Sequence, residues 1–122
     1  QACQHANIYD ETARKVKPFN WANYPCQDRY VAAAPVGKYA ANAFGLHDML
    51  GNVAEWTCSD YDSAYAGGET RCASRNVTGG GRRVLRGGSW SDYPGLVRFA
   101  YRFPAAPEYG KFDLGFRLAL DP

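Results

Sequence analysis

The high content of glycine and proline restricts the folds open to this chain more than any other feature of its sequence. Thirteen glycines and seven prolines stand among its 122 residues, about 16% where the usual share is near 12%. The longest apolar run, Val31 to Val36, has six residues and contains Pro35. A membrane helix needs about 20 apolar residues, and helix interiors tolerate Pro and Gly poorly. The sequence therefore predicts one small, turn-rich domain without long helices or a membrane span.

The charge balance excludes two classes of partner. The chain carries 14 Lys and Arg against 12 Asp and Glu, a formal net charge of +2. Nucleic-acid binding by counterion release needs many more basic residues, and so does a polybasic membrane anchor. We therefore expect no nucleic acid among the partners.

Weak periodic patterns predict a few short elements. Residues 1–17 predict a short helix that ends at Pro18. The clearest strand is 114–120, where Leu114, Phe116, Leu118 and Leu120 alternate with small or polar residues, the period of a half-buried strand. Three further strands are predicted near Glu55–Cys58, at Arg83–Arg86 and at Val97–Arg102.

Four cysteines indicate the compartment. Cys3, Cys26, Cys58 and Cys72 permit three disulfide pairings. Sequential pairing would close two local loops, and a loop of about 15 residues is worth about 3 kcal/mol in the chain-entropy model. The alternative is four buried free thiols in a cytosolic protein. We favour an exported protein, periplasmic or extracellular.

Few residues point to chemistry by themselves. The two histidines, His5 and His47, have no partner at a metal-ligand spacing, and a lone histidine is usually structural. Glu55 beside Trp56 is either an acid of raised pKa or a buried acid paired with an arginine. Neither pattern assigns a catalytic residue.

Oxygen-rich turns are better candidates for a metal site. Asn7, Asp28 and Asp48 lie in loops, and hard cations such as Ca²⁺ bind carboxylate, amide and backbone carbonyl oxygens. The alternative is that these side chains bond their own backbone, as Asp and Asn in turns usually do.

Five blocks of sequence carry a family resemblance. They are Ala2–Asn7, Ala34–Gly37, Asn42–Trp56, Arg83–Trp90 and Leu114–Arg117. In this order they resemble the formylglycine-generating enzyme (sulfatase-modifying factor) family across essentially the whole chain. The resemblance implies an α+β fold, a variant of the C-type lectin fold with little regular structure, small antiparallel sheets and long ordered loops. It also implies that residues 1–122 form a single domain matching the C-terminal half of the family domain, with the N-terminal half absent or on another chain.

This chain lacks the cysteine pair that the family's copper chemistry requires. The founding enzymes convert a sulfatase cysteine to formylglycine with copper held by two cysteine thiolates, placed shortly after a Gly-Gly-Ser motif. Cu(I) is soft and prefers sulfur, but residues 90–103 contain no cysteine, and Asp92 stands where the first is expected. We therefore expect no copper, no formylglycine generation and no assigned catalytic residue.

Two structural calcium sites are also implied by the resemblance. In the first, Asn7 and Asp28 bind through side chains and Ile8 and Tyr30 through carbonyls. In the second, Asp48 binds through its side chain and Met49, Gly51 and Val53 through carbonyls. Both sets are hard oxygen donors, as Ca²⁺ requires.

Residues 90–113 form the ligand-facing surface that the resemblance implies. Its candidate ligand-binding residues are Trp90, Asp92, Tyr93, Arg98, Phe99, Tyr101, Phe103, Tyr109 and Phe112. Aromatic residues with arginine are typical of binding hot spots. In the alternative interpretation, Phe99, Tyr101 and Phe103 are one buried strand face, and Arg98 and Arg102 form structural ion pairs.

Three hypotheses for function follow. The favoured one is a non-catalytic binding or accessory module, calcium-stabilised and exported, whose partner is a protein, a peptide or a small molecule. The second is a family enzyme of different chemistry, such as periplasmic maturation of a peptide or secondary metabolite. It would need an acid or base, and Asp92, Glu55 or His47 converging in one pocket would support it. The third is a hypervariable ligand-binding protein of a diversity-generating retroelement.

Overall fold

The structure is a computed structural model that describes residues 2–67, 69, 72 and 81–120. Its elements, in chain order, are helices α1 (Ala2–His5) and α2 (Glu11–Val16) and strands β1 (Ala54–Asp60), β2 (Arg83–Arg86), β3 (Phe103–Ala105) and β4 (Leu114–Gly115). Turns and loops make up the rest of the described chain. The expected α+β class with little regular structure is confirmed.

Local capping explains the short helices at the start of the chain. The Oδ1 atom of Asp10 accepts a hydrogen bond from the Ala13 N–H at 2.8 Å and caps the N-terminus of α2. The Lys17 N–H bonds the Ala13 carbonyl at the other end, and Pro18 follows, so the helix stops there. The helix predicted within residues 1–17 is confirmed as two shorter ones.

One mixed sheet has the strand order β3-β2-β1-β4. Strand β2 is antiparallel to both neighbours, with Glu55 opposite Arg86 on one side and Arg83 opposite Ala105 on the other. Strand β4 is parallel to β1, so the expected purely antiparallel sheet is corrected. The strands predicted near Glu55–Cys58 and at Arg83–Arg86 are confirmed.

The strand predicted at Val97–Arg102 is wrong. That segment forms turns: the Arg98 N–H bonds the Leu96 carbonyl at 2.9 Å, and the Tyr101 N–H bonds the Arg98 carbonyl at 3.1 Å. These local bonds occupy backbone groups that a sheet ladder would need. The strand begins only at Phe103.

The strand predicted over 114–120 is also wrong beyond Gly115. Phe116, Leu118 and Leu120 are 73%, 85% and 94% exposed. Strand β4 lies at the edge of the sheet, so within the described residues its alternating apolar side chains have no surface to pack against. The alternation of apolar side chains is present in the sequence, but these side chains become buried only where another layer of the protein packs on them.

Two disulfides and a small core hold the loops. Cys3 is bonded to Cys26 and Cys58 to Cys72, which confirms sequential pairing. Around the first bridge, Ala6, Ile8 and Val97 form a buried cluster with Cys3. Across the described residues no helix is long and apolar enough to cross a membrane.

Candidate functional site

A cleft of about 80 Å³ opens beside strand β2. Its aromatic walls come from Tyr101, Phe103 and Tyr109, with the rings of Phe103 and Tyr109 6.0 Å apart. Its polar groups include Ser89, Asp92 and Asp113. Aromatic walls around a few polar groups are the usual make-up of a small binding site.

The polar groups of the cleft form one buried cluster. The Oγ atom of Ser89 lies 3.0 Å from Asp92 Oδ2, 3.1 Å from Asp113 Oδ2 and 3.1 Å from Ser91 Oγ. The Ser91 hydroxyl donates to Asp113 Oδ2 at 2.5 Å. Asp113 is 3% exposed, and its Oδ1 atom has no hydrogen-bond partner among the described residues.

The cluster changes the acidity of Asp92. Burial raises the pKa of its carboxyl above the ordinary value; two hydrogen bonds from Ser89 oppose this, while the Asp113 charge adds to it. Asp92 therefore holds its proton more strongly than an exposed aspartate does.

Two glycines bring Ser89 into the cleft. Gly87 and Gly88 follow strand β2 with φ of +89° and +69°, a backbone conformation that disfavours side chains. At Gly88 a Cβ atom would lie 3.0 Å from the Val97 Cα. The Gly-Gly-Ser motif is therefore a tight turn whose function is to place the serine against the two carboxylates.

The cleft gathers four of the nine predicted ligand residues: Asp92, Tyr101, Phe103 and Tyr109. Sequence reasoning left Ser89, Ser91 and Asp113 out of the predicted ligand set. Position after the glycine pair was the available signal for Ser89.

The other five predicted ligand residues lie outside the cleft. Trp90 is 2% exposed and packs against Phe112, with the Lys17 ammonium 5.0 Å from the Trp90 ring centre. The remaining three, Tyr93, Arg98 and Phe99, are exposed and do not line the cleft.

The alternative interpretation of this segment holds in part. Arg102 is ion-paired with Glu69 and stacks over Tyr61 and Tyr65, a structural role. Phe99 and Phe103 are 65% and 38% exposed and do not form a buried strand face.

The three candidate acids and bases do not converge. Glu55 forms an ion pair with Arg117 at 2.6 Å. Arg117 also donates to the His47 carbonyl at 3.0 Å and to the Asp48 carbonyl at 3.1 Å, beside a separate depression. Only Asp92 lines the aromatic cleft. The interpretation of Glu55 as an acid paired with an arginine is confirmed.

The first proposed calcium loop set is brought together by backbone hydrogen bonds. Asp28 accepts from the Ile8 N–H at 3.0 Å and from the Tyr30 N–H at 2.8 Å. Asn7 is 1% exposed, and within the described chain its Oδ1 atom has no partner. Burial raises the pKa of Asp28 to about 6, and the neighbouring Asp10 carboxyl adds to this rise. These features fit a bound hard cation.

The second set surrounds Asp48, which has a positive φ of +52°. One carboxylate oxygen accepts from the Gly37 N–H at 2.6 Å, and the other is buried without a partner among the described residues. Met49, Gly51 and Val53 follow in the same loop. No group of three or more His, Cys, Asp or Glu side chains gathers within the described residues, so amide and backbone oxygens would complete either site.

Asn52 joins the two loop sets, and sequence reasoning missed it. Its side chain accepts from Asn7 Nδ2 and from the Ala34 N–H, and donates to the Ala34 carbonyl. Its own N–H bonds the Asn7 carbonyl at 2.7 Å, and its carbonyl accepts from the Trp90 N–H at 3.0 Å. It therefore connects the Asn7 and Asp48 loops to the turn that carries Ser89.

The fold and these motifs place the chain in a family. Residues 1–122 match the model described as a sulfatase-modifying factor enzyme 1-like domain. The chain belongs to that family. The predicted formylglycine-generating-enzyme-type fold is confirmed by a solved structure, that of PvdO from Pseudomonas aeruginosa, with a TM-score of 0.68, 28% identity and coverage of 93% of this chain and 38% of that chain.

Curated relatives include enzymes. The chain is 37% identical over 103 residues to formylglycine-generating enzyme from Thermomonospora curvata, a match covering 79% of this chain and 34% of the enzyme. It is 39% identical over 97 residues to hercynine oxygenase from Mycolicibacterium smegmatis, covering 72% and 22%. The chain thus spans about one third or less of the length of these relatives.

Proposed function

We propose that this chain is a non-catalytic ligand-binding domain of its family and that the aromatic cleft is its recognition site. The observation that carries this is the buried Ser89–Asp92–Asp113 cluster, which keeps one carboxylate oxygen unpaired at the base of an aromatic cleft. Buried polar groups are normally satisfied within a protein. An unpaired carboxylate oxygen in a cleft is available to a donor on a ligand.

Cysteine chemistry supports binding rather than copper-dependent oxidation. All four cysteines are used in the two disulfides, and a disulfide sulfur offers no thiolate to Cu(I). Asp92, which stands where the resemblance expects a copper ligand, is held by Ser89 instead. The recognised partner is a peptide, a protein or a small molecule.

A second candidate function is catalysis with Asp92 as a general acid. The observation that favours it is the raised pKa of this carboxyl beside Asp113, a property common at catalytic sites. Chemical turnover that is lost in Asp92→Asn and retained in Asp60→Asn would favour this second function.

Structural calcium is part of the proposal. The unpaired oxygens of Asn7 and Asp48 support two sites, formed with Ile8, Asp28 and Tyr30 in one and with the 49–53 carbonyls in the other. The ions would fix loops that have few ladder hydrogen bonds, and they take no part in recognition.

Export is proposed from the disulfides. Two bridges join segments 23 and 14 residues apart, and such bonds persist in oxidising compartments. We place the protein in the periplasm or outside the cell.

A further segment of the family domain is proposed to cover the edge of the sheet. The exposed residues Phe116, Leu118 and Leu120 alternate as a buried strand does. The chain spans only about a third of the relatives it matches. We therefore infer that residues 1–122 correspond to the C-terminal half of the family domain and that polypeptide matching the N-terminal half, in the same or another chain, packs on this edge.

Selection from a displayed random-peptide library tests the proposed function. Selected peptides should lose at least tenfold in affinity for the double variant Tyr101→Ala, Tyr109→Ala, because both rings line the cleft. Tyr93→Ala is the matched control, since Tyr93 is exposed outside the cleft, and it should bind normally. Equal affinity for both variants would contradict the proposal, as would formylglycine formation in a sulfatase peptide with added copper.

A further inference from the structure

The buried cluster of the cleft is rich in acceptor oxygens. Four oxygen–oxygen contacts of 2.5 to 3.1 Å connect Ser89, Ser91, Asp92 and Asp113. With both carboxyls ionised, the donors within the cluster are the two serine hydroxyls and the N–H groups of Ser89 and Ser91, which bond Asp92 Oδ2 and Ser89 Oγ. None of these donors reaches Asp113 Oδ1.

Asp113 marks where such a donor is missing. It is 3% exposed, and its Oδ1 atom has no partner among the described residues. Its other oxygen already accepts from Ser91. An unpaired carboxylate oxygen at this depth is costly unless a ligand satisfies it.

The neighbouring basic side chains do not neutralise the two carboxyls at the base of the cleft. Arg86 borders the cleft, but its guanidinium bonds Glu69 at 2.8 Å and the Phe99 carbonyl at 3.0 Å. Lys111 also borders the cleft and is exposed. Two carboxyls therefore face one solvated ammonium, and room remains for a positive group.

The walls favour an organic cation. Tyr101, Phe103 and Tyr109 surround the acidic base, and aromatic rings attract cations through their faces and pack against alkyl chains. A hard metal ion prefers six to eight oxygen ligands, a coordination shell that the faces of aromatic rings do not complete.

We propose that the cleft binds a primary ammonium group carried on an alkyl chain, with the ammonium donating to Asp113 Oδ1 and to the Ser89–Asp92 pair. One of its N–H donors would satisfy Asp113 Oδ1, and its positive charge would offset the two carboxylates. The inference rests on the proposed function and names its ligand class. The same chemistry occurs in a lysine side chain and in a free alkylamine.

A matched pair of probes tests the ammonium directly on the unaltered chain. Nα-acetyl-lysine methylamide and Nα-acetyl-norleucine methylamide differ chiefly in the charged nitrogen. Amide chemical shifts of Ser89, Ser91 and Asp92 should move with the lysine probe, at least tenfold more tightly than with the norleucine probe. n-Hexylamine is the second arm: tighter binding than the lysine probe identifies a free amine, and weaker binding identifies a lysine side chain.

Variants test which atoms receive the ammonium. Asp113→Asn and Asp92→Asn should each weaken the lysine probe at least tenfold, and either one suffices if the other fails to fold. Asp60→Asn is the matched control, because Asp60 is an aspartate outside the cleft, paired with Arg83. Its affinity should be unchanged.

Three results would overturn the inference. Equal binding of the two matched probes would show an aromatic cleft indifferent to charge, and the proposed function would survive. Failure of both amines to shift the cleft amides at millimolar concentration would reject the ammonium, while the peptide selection decides the proposed function separately. Displacement of the lysine probe by Mg²⁺ or Ca²⁺ would identify a metal site instead.

Discussion

The loops of residues 7–53 and the cleft beside strand β2 use their buried polar groups differently. In the loops, Asn52 joins three segments by hydrogen bonds through its side chain, its N–H and its carbonyl, and the unpaired oxygens of Asn7 and Asp48 belong to the proposed calcium sites. In the cleft, the unpaired oxygen belongs to Asp113, which lines the cleft together with aromatic rings. A connected network adds rigidity, whereas an unpaired acceptor in a cleft is costly in stability and useful for binding. We therefore assign the loops to the scaffold and the cleft to recognition.

The largest predicted effect breaks the scaffold at Gly51. A Cβ atom there would overlap the Asn7 carbonyl oxygen, and φ is +71°. Gly51→Ala should destabilise the chain by roughly 3–5 kcal/mol from backbone strain and overlap. Gly37→Ala is the control: φ is +72°, but nothing lies within 4 Å, so about 1 kcal/mol is expected. Urea unfolding of both variants measures the difference, and equal losses would contradict it.

Removing the Asn52 side chain should have the next largest effect. Asn52→Ala leaves the Ala34 N–H and carbonyl without their partners, at a cost of about 2–3 kcal/mol. Urea unfolding measures this. Asn42→Ala is the comparison, since Asn42 accepts only from N–H groups of its own exposed turn, and it should cost less than 1 kcal/mol. The reverse order would show that the loops do not depend on Asn52.

Calcium should stabilise the scaffold and leave the cleft unchanged. At a concentration 100 times the dissociation constant, one site adds about 2.7 kcal/mol to the free energy of unfolding. Thermal unfolding with Ca²⁺ and with a chelator measures this. Asp28→Ala and Asp48→Ala should each lose part of the increase, and Asp62→Ala, an exposed-turn control, should retain it. No response to Ca²⁺ in the wild-type chain would refute both sites.

The pH dependence of stability should differ between the wild type and a variant of the cleft residue Asp92. Burial raises the pKa of Asp92 in the folded chain. The folded state therefore binds the Asp92 proton more tightly than the unfolded state does. The stability that this provides is complete below the pKa of the unfolded chain and is lost as pH rises through the pKa of the folded chain. An asparagine at this position does not titrate, so Asp92→Asn has no such loss. The variant should therefore gain stability relative to the wild type as pH rises from below the unfolded pKa of an aspartate, about 3.9, to neutral pH. A relative loss over that interval would contradict the account.

The smallest effect is expected at the sheet edge. Leu118→Ser should change the stability of this chain by less than about 0.5 kcal/mol, because the side chain is 85% exposed. In a longer polypeptide that covers the edge, the same substitution should cost about 2 kcal/mol. Equal small losses in both proteins would show that nothing packs there.

Sequence alone located the scaffold better than the cleft. The sequence pattern predicted strands β1 and β2, and the structure has both. Each of them pairs with a strand on both sides in the sheet, so its conformation does not depend on a missing neighbour. Residues 97–102 have a similar aromatic pattern, but local turn bonds decide their conformation. For residues 116–120 the pattern describes a face that the described chain leaves uncovered.

The site depended on contacts that no sequence pattern shows. Asp92 was found because it follows the Gly-Gly-Ser motif. Asp113 lies 24 residues after Ser89 and reaches it because the Asp113 carbonyl bonds the Ala54 N–H at the start of β1. Tertiary pairing of this kind, rather than residue type, separates the four gathered ligand residues from the other five.

Amide chemical shifts of the chain, mapped during titration with a peptide selected from the library, show which of the two regions binds. The largest shifts should fall on Ser89, Ser91, Asp92 and Tyr101, and residues of the 7–53 loops should move little. Largest shifts on those loops, with the cleft unaffected, would show that recognition lies outside the cleft.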